Sequence, residues 1–488
     1  MEDVKDLIKT ALNFHQNGNL DEAEKLYAEI LNQDSKKPDV LNLYGLLKYQ
    51  KQEFSEAIDL IKSAVELNPC AYFYENLGRV YVDSGNSLEA IKILKKALAL
   101  EPDNYTAWFT IAKAFKENKQ IKNSIKAYRK ALTLNPNSPE IYFNLAGIFD
   151  DEDMTPTAIN CYKKTLEFVP NDLETNYFLS VSYLKMKDFE KGWQGFECRP
   201  SKAMSIATQN QVHENILVNK KMWNGEDLRD KTLFILYEAG LGDTLMFARY
   251  IPILKKYCGK ILFAPQNDLV SFFDENFKDI GIITSGTPNE AIKFDYFIPI
   301  MSLAFYTQNM LTGIPFASGY LHPDLNIASY FREKYFNNNA FKIGIKWEGN
   351  AEIGLNRIIN IEAFEKIAQL PNVKIYSLQK GPGVEQLENC KFEITDLAPE
   401  FDDFSKTAAA VDNLDLVICN DTSIAHLAGA MAKDCFVLLP RKYNWRWHND
   451  LSYSPWYKNV KLFRQPTEGD WDSVMQSVYD LLINVVPH

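Results

Sequence analysis

A period of about 34 residues runs through the first two hundred positions, and it constrains the fold more than any other feature. One column of small residues, with spacings of 34, 33, 34, 34 and 34, consists of Ala23, Ala57, Ala90, Ser124, Ala158 and Gly192. A second column with the same spacings consists of Ala11, Gly45, Gly78, Ala112, Ala146 and Ser180. Each period predicts two amphipathic helices that approach closely at their small residues.

Proline ends several of these periods, as in YENLGRVYVDSGNSLEAIKILKKALALEP at 74–102. This pattern resembles the tetratricopeptide repeat, in five to six copies over residues 1–200. Such an array implies a surface that holds a peptide or a protein. Packing of the array against the rest of the chain, or against a second copy, stays open as an alternative.

Composition narrows the functional classes. With 46% hydrophobic residues the chain can bury large cores, and its net charge of −11 argues against a nucleic-acid or membrane-surface binder. Seven cysteines without metal-type spacing favour reduced thiols. The N-terminus lacks the pattern of a signal peptide, and no apolar run is long enough to span a bilayer. We therefore expect a cytoplasmic protein without a transmembrane segment.

After residue 200 the period ends and strands alternate with helices. A polar stretch at 201–230 is predicted to be a connector. Two alternating series follow, at 231–325 and at 340–468, and 469–488 is predicted to contain a terminal helix. The predicted fold is an all-α repeat superhelix followed by two Rossmann-like α/β lobes with a cleft between them.

Polar clusters follow predicted strands, where doubly wound sheets bind ligands. The clusters comprise Gly240, Gly242 and Asp243; Lys346, Asn356 and Arg357; Gln379 and Lys380; and Asp421, Thr422, Ser423 and His426. In AGLGD the glycines allow close backbone approach and unusual backbone angles, while the aspartate is also a helix cap. In NDTSIAH the hydroxyls and N–H groups of a helix start suit a phosphate, and the cations of the second cluster suit a diphosphate.

The stretch RKYNWRWHNDLSYSPWY at 441–457 is rich in aromatic residues and cations. Trp445, Arg446 and Trp447 form its centre. Aromatic faces suit a base or a sugar, and they equally suit a loop anchored on the neighbouring lobe. Both interpretations stay open at this point.

These motifs, in this order, resemble the bacterial glycosyltransferases of the heptosyltransferase-related family, and most of all its branch with N-terminal tetratricopeptide repeats. The motifs are EAGLGDTLMFARYIPIL, WEGN…NR, YSLQKG, LDLVICNDTSIAHLAGAM and FVLLP…NWRW. The resemblance implies a GT-B fold with the acceptor on the first lobe and a nucleotide-sugar donor on the second. It implies Asp243 as general base and a donor site around Arg357 and Asp421. Relatives with repeats include enzymes that glycosylate flagellins, with the repeats docking the acceptor.

We therefore expect an inverting glycosyl transfer from a nucleotide sugar to a protein acceptor, without a metal or another cofactor. The sugar, whether hexosyl, heptosyl or nonulosonate, is not specified. Two alternatives remain, which are a repeat adaptor whose GT-B body has lost its chemistry and a GT-B sugar-nucleotide epimerase. An adaptor would bind no nucleotide sugar, and an epimerase would need no acceptor.

Overall fold

The computed structural model describes residues 4–308, 313–349, 357–448 and 452–486. The chain forms two compact units, Met1–Thr175 and Asn176–His488.

The first unit consists of helical hairpins in which helices of 13 and 14 residues alternate. Its helices are α1 (Val4–Gln16), α2 (Leu20–Gln33), α3 (Pro38–Gln50), α4 (Phe54–Leu67), α5 (Ala71–Asp83), α6 (Ser87–Leu100), α7 (Tyr105–Glu117), α8 (Ile121–Leu134), α9 (Pro139–Asp151), α10 (Thr155–Phe168) and the start of α11 (Leu173–Lys185).

The small-residue columns lie where paired helices touch. A Cβ atom on Gly45 would stand 2.5 Å from Cγ1 of Ile61 on the partner helix. Ser124 is fully buried, and its hydroxyl donates to the carbonyl of Ala112 at 2.7 Å. The spacing of these residues is therefore set by close contact between helices, as predicted.

The second unit contains two parallel sheets. The first sheet has the order β1-β5-β2-β3-β4, with strands β1 (Lys221–Met222), β2 (Thr232–Leu236), β3 (Lys260–Ala264), β4 (Gly281–Ile282) and β5 (Tyr296–Pro299). The helices before and around it are α12 (Phe189–Phe196), α13 (Pro200–Val212), α14 (Leu241–Phe247), α15 (Ile251–Leu254), α16 (Val270–Asn276) and α17 (Leu303–Thr307).

The second sheet has the order β11-β10-β9-β6-β7-β8, with strands β6 (Phe341–Lys346), β7 (Val373–Ser377), β8 (Ile394–Asp396), β9 (Leu416–Asn420), β10 (Cys435–Leu439) and β11 (Val460–Arg464). Its helices are α18 (Leu325–Tyr335), α19 (Glu365–Ala368), α20 (Phe404–Asp412), α21 (Ser423–Ala430) and α22 (Trp471–Leu482). The predicted fold class, an all-α array followed by two doubly wound α/β lobes, is confirmed.

Strand order places the candidate site. The direction of strand succession reverses beside β2 in the first sheet and beside β6 in the second. Crevices at such switch points, beyond the carboxyl ends of the strands, bind ligands in doubly wound folds. The loops that follow Leu236 and Lys346 both begin at these crevices.

Two regions differ from the sequence-based description. The stretch 201–230 contains most of helix α13 and the edge strand β1, which pairs with β5. The second compact unit begins within α11, so helix α12 of the last predicted repeat belongs to the unit that carries the sheets. Strands β1 and β8, of two and three residues, are too short to show a periodic pattern. Within the described ranges, no helix combines the length and apolarity needed to cross a membrane.

Candidate active site

A cleft of about 660 Å³ collects most of the predicted site residues at the carboxyl ends of β2 and β6. The site residues predicted from the sequence that line this cleft are Gly240, Gly242, Asp243, Lys346, Arg357, Lys380, Asp421, Thr422, Ser423, His426 and Arg446. Both lobes contribute to this lining, because the first three precede or open α14 and the remainder follow strands of the second sheet. One cleft therefore holds the carboxylate and the cations on which the predicted chemistry depends.

Gly240, directly before α14, and Gly242, in its first turn, do not have the unusual backbone angles predicted for them. Gly240 has φ −84°, and the left-handed residue is its neighbour Ala239, with φ 58°. Gly242 is needed for space, because a Cβ atom there would lie 2.7 Å from Cδ2 of His426. The missing side chain therefore allows α14 of the first lobe to approach α21 of the second.

Asp243 is held in place by two donors. Its Oδ2 accepts the backbone N–H of Gly240 at 3.1 Å, and its Oδ1 pairs with the guanidinium of Arg446. The side chains are 19% and 11% exposed, so the pair is mostly shielded but open to the cleft. A carboxylate offers about four acceptor positions, and the two donors leave others for a substrate hydroxyl.

The start of helix α21 forms the opposite wall. Thr422 precedes the helix in an extended conformation, with φ −139°, and Ser423 is its first residue. The first N–H groups of a helix have no intrahelical acceptors, and the helix dipole makes this end attractive to anions. Because Thr422 and Ser423 both line the cleft, the wall can offer hydroxyls and N–H groups to a phosphate.

The two cations after β6 differ in their partners. The Arg357 guanidinium lies 3.3 Å from Oδ2 of Asp421 and donates to that residue's carbonyl. Lys346 is only 8% exposed, and no ion pair or hydrogen bond joins its ammonium to another residue in the described ranges. Burial lowers the pKa of Lys346 to about 8, which the nearby Cys419 and Glu348 partly oppose. A buried ammonium without a counterion favours an anionic ligand.

His426 is buried beside both walls. Its Nδ1 lies 3.1 Å from the Tyr457 hydroxyl, and its ring stacks on Trp447 at 5.3 Å between centroids. Burial, followed by the charges of Arg446 and Arg249, lowers the His426 pKa well below its usual range. The ring is therefore neutral near pH 7, and it can hydrogen-bond a ligand without adding charge.

Gln379, predicted to belong to a ligand-side polar cluster, supports the cleft from behind. It is fully buried, and its Oε1 accepts the N–H groups of Trp347 and Glu348 at 3.2 and 3.0 Å. Its amide nitrogen donates to the carbonyls of Glu348 and Pro382. All these bonds fix the loops after β6 and β7, so the side chain has no group directed to a ligand. Lys380 lines the cleft while donating to the carbonyl of Phe401.

Trp445 and Trp447, considered as a binding surface for a base or a sugar, are core residues. They are 4% and 0% exposed. Trp445 packs on Trp193 and Phe196, at centroid distances of 5.7 and 5.6 Å. The anchoring interpretation therefore describes them, whereas Arg446, which lies between them, and Asn444 line the cleft.

Three further residues complete the description. Asn356 lies outside the described residues. Glu348 lines the cleft but was not predicted, since nothing in its local pattern separates it from a solvated loop. Arg249, fully buried, donates to the carbonyl of Trp456 at 2.9 Å and so connects the two lobes.

Within the described ranges, no group of three or more His, Cys, Asp or Glu side chains could hold a metal ion.

Family models match segments in both units of the chain. Residues 384–480 match the model of glycosyltransferase family 9 (heptosyltransferase). Tetratricopeptide-repeat models match residues 8–70, 71–104 and 112–149.

Two curated proteins are similar to the chain. Protein FlbA of Caulobacter vibrioides is 26% identical over 467 residues, which cover 90% of this chain and 71% of that protein. A 76-residue segment is 37% identical to the peroxisomal targeting signal receptor of Kluyveromyces lactis, covering 15% of this chain and 13% of the receptor.

Solved structures match about a third of the chain. MamA from Desulfovibrio magneticus is 18% identical with a TM-score of 0.33, over 35% of this chain and 98% of that chain. PilW, a type IV pilus biogenesis factor, is 14% identical with a TM-score of 0.38, over 40% of this chain and 91% of that chain.

Proposed function

The chain is a glycosyltransferase in which tetratricopeptide repeats precede a domain of glycosyltransferase family 9, and from this premise we propose a reaction for its cleft. A sugar passes from a nucleotide-sugar donor to a hydroxyl of an acceptor protein, with inversion at the anomeric carbon. The observation that carries this proposal is the single cleft, with Asp243 on one wall and the α21 helix start with Lys346 on the other.

Asp243 is the proposed general base. It takes the proton of the acceptor hydroxyl while the oxygen attacks the anomeric carbon and the bond to the nucleotide phosphate breaks. Arg446 and the Gly240 N–H hold the carboxylate in one orientation, and free acceptor positions remain on it. General-base assistance of this kind contributes about 10²–10⁴-fold to the rate.

The second lobe is proposed to hold the donor phosphates. Negative charge builds up on the leaving phosphate as the bond breaks, and fixed positive groups stabilise it there. Lys346 supplies an ammonium without an ion-pair partner in the described part of the chain, Arg357 supplies a partly paired guanidinium, and Thr422 and Ser423 form the helix start. These groups can neutralise the leaving phosphate by themselves, so the proposed reaction uses no metal.

The repeats are proposed to dock the acceptor protein, for which the sequence resemblance favours a flagellin-like chain. A groove of about 580 Å³ in the first unit runs across helices α7, α9 and α11. Phe109, Pro139 and Phe143 give it apolar walls, while Lys113 and Asn144 offer polar groups. An extended segment can be held there by side-chain pockets and hydrogen bonds.

The seven free thiols fit a reducing compartment, and we infer that transfer takes place in the cytoplasm.

Titration of the full chain with ADP-, GDP-, UDP- and CMP-sugars by calorimetry tests the donor proposal. We expect one nucleotide class to bind and Lys346→Met to weaken its binding. Absence of binding by all four classes would favour a non-catalytic adaptor.

Capture of partners on full-length Asp243→Asn, followed by incubation with wild-type enzyme and donor, tests the acceptor. The mass of the acceptor should increase by one glycosyl residue, and proton NMR of the product should show the inverted anomer. Conversion of the donor to an epimer without acceptor would contradict the proposed transfer.

A further inference from the structure

A buried ion pair joins the end of the last predicted repeat to the strand that leads to Asp243. Arg199 follows α12, and Glu238 lies two residues beyond β2. The guanidinium binds both carboxylate oxygens, with Nε to Oε1 at 2.6 Å and Nη2 to Oε2 at 2.8 Å. Both side chains are almost completely buried, at 1% and 0% exposed. Such a bidentate pair fixes the relative position of the two backbone segments.

Helix α13 binds the same strand end through two more side chains. Ser201 donates to Oε1 of Glu238 at 2.6 Å, and Ser205 donates to the carbonyl of Tyr237 at 2.5 Å. The next residue, Ala239, has φ 58°, a left-handed backbone conformation that is unfavourable for a residue other than glycine. Such a conformation persists only where the surrounding contacts enforce it, and the contacts on Tyr237 and Glu238 lie directly before it.

Helix α12 also contacts residues that neighbour the ion pair of Asp243 and Arg446. Trp193 packs on Phe247 of α14, at 5.9 Å between ring centroids, and on Trp456 at 6.1 Å. The indole of Trp456 donates to the carbonyl of Arg446 at 2.7 Å. One helix of the last repeat therefore contacts the element that presents the carboxylate and the loop that presents its cation.

We propose that Arg199 and Glu238 are positioning residues for glycosyl transfer, through which the last repeat fixes the Ala239 turn and thereby orients Asp243. This inference rests on the proposed role of Asp243 as base. Arg199 and Glu238 touch no substrate in this scheme and act only through the carboxylate. Helix α12 of the last predicted repeat is then a working part of the enzyme.

The test compares Glu238→Gln with Glu197→Gln in the full-length chain. Glu197 also binds Arg199, at 2.8 Å, but lies on the repeat side of the pair and away from the strand end. Turnover is followed as nucleotide release from the donor that binds most tightly among ADP-, GDP-, UDP- and CMP-sugars, with the protein captured on Asp243→Asn as the acceptor of the sugar. We expect Glu238→Gln to lower kcat about tenfold to 100-fold with donor Kd within about twofold, because small misplacements of a catalytic group are costly. Glu197→Gln should leave kcat within about twofold.

Glu238→Gln leaves a buried guanidinium partly unpaired, and this can prevent folding. Ser201→Ala removes a single hydrogen bond to Glu238 and serves as the second variant, with an expected loss in kcat of about twofold to fivefold. Thermal unfolding of each variant shows that the measured protein is folded. Wild-type kcat in folded Ser201→Ala and Glu238→Gln, or an equal loss in Glu197→Gln, overturns the inference.

The double variant Asp243→Asn/Glu238→Gln tests the route of the effect. A residue that acts through Asp243 has no further influence once the base is gone, so the double variant should turn over like Asp243→Asn alone. An additional tenfold loss would overturn the positioning role. Full turnover by Asp243→Asn would overturn the base assignment and this inference together, whereas low turnover by Asp243→Asn with normal Glu238→Gln would overturn this inference only.

Discussion

Two helix starts form opposite walls of the cleft, and they differ in how their charges are satisfied. At α14 the carboxylate of Asp243 is neutralised by Arg446 and oriented by the Gly240 N–H. At α21 the wall offers hydroxyls, and the nearby strand end holds the buried ammonium of Lys346 without an ion-pair partner in the described ranges. A satisfied group is held in position for a proton transfer, whereas an unsatisfied one attracts a ligand of opposite charge. In the proposed reaction, the first wall is therefore the chemical wall, which carries Asp243, and the second is the binding wall, which carries Lys346, Thr422 and Ser423.

The largest expected effect comes from the chemical wall. Asp243→Asn keeps the size of the side chain and removes its basicity, so kcat should fall about 10²–10⁴-fold. The donor Kd should stay within about threefold, since the donor phosphates are proposed to bind the other wall. Single-turnover kinetics together with calorimetry separate the two quantities.

The matched control for this variant is Asp279→Asn. Asp279 lies in the same lobe, is exposed and pairs with Lys255 at the surface. Its loss should change neither kcat nor donor Kd. A similar loss of donor affinity and turnover in Asp243→Asn would contradict the division between the walls.

The binding wall gives the next largest effect. Lys346→Met should raise donor Kd about tenfold to 100-fold, because hydrogen bonds to charged groups contribute about 1.5–3 kcal/mol. Arg357→Met should raise it less, since Asp421 already takes up part of that guanidinium's charge. Calorimetric titration with the preferred nucleotide sugar measures both.

Lys342→Met provides the control for these lysine and arginine variants. Lys342 lies near the other end of the same strand, and its Nζ is 4.0 Å from Oδ2 of Asp415. Its substitution should therefore leave donor binding unchanged. A larger effect of Arg357→Met than of Lys346→Met would reverse the ranking of the two cations.

The sequence predicted the parts of each wall that depend on local pattern. Apolar runs that end in polar clusters located the ends of β2, β6, β7 and β9, and the position of a ligand cleft followed from the rule for doubly wound sheets. Whether each charged side chain has an ion-pair partner depends on residues far away in the sequence. Arg446 reaches Asp243 across 203 positions of sequence, and no local period announces such a pair.

Burial decided the remaining assignments. Gln379, Trp445 and Lys346 have similar sequence surroundings, each near the end of a strand or in a polar loop. In the structure Gln379 binds backbone groups and Trp445 fills the core, while the Lys346 ammonium lines the cleft with no ion-pair partner among the residues that the structure describes. A residue type at a strand end therefore indicates where a site lies, while the packing around it determines its role.

The contact between the walls depends on Gly242. A methyl group there would lie 2.7 Å from the His426 ring and 3.4 Å from Cα of Ser423. Gly242→Ala should therefore lower the free energy of unfolding by about 1–3 kcal/mol through overpacking, and it should raise donor Kd by displacing the start of α21. Chemical denaturation and calorimetry measure the two changes.

Gly240→Ala is the matched control for Gly242→Ala. Its added methyl would meet its nearest neighbour, Oδ2 of Asp243, at an ordinary 3.5 Å, and its φ of −84° suits any residue. The free energy of unfolding should change by no more than about 0.5 kcal/mol. Equal destabilisation by both substitutions would contradict the assignment of Gly242 to close contact between the walls.

The smallest expected effect is a pH dependence that belongs to the binding wall alone. Burial lowers the pKa of Lys346 to about 8 in the free protein, and a bound diphosphate favours the charged form. Donor Kd should therefore be constant up to about pH 7 and rise above pH 8, by at most about tenfold per pH unit, as the free enzyme loses the proton.

The contribution of Lys346 to folding stability changes in the opposite direction, because an unfolded lysine keeps its proton to about pH 10.4. Between about pH 8 and 10 the unfolded state binds more protons, so this group's contribution to stability increases with pH.

Lys346→Arg distinguishes this origin from any other titration. An arginine stays charged throughout the range, so the rise of donor Kd between pH 8 and 9.5 should disappear while binding at pH 7 is kept within about tenfold. Lys346→Met should also lose the pH dependence, from a weaker starting affinity. If both variants kept the wild-type slope, the titrating group would lie elsewhere, and the unpaired ammonium would no longer distinguish the binding wall from the chemical one.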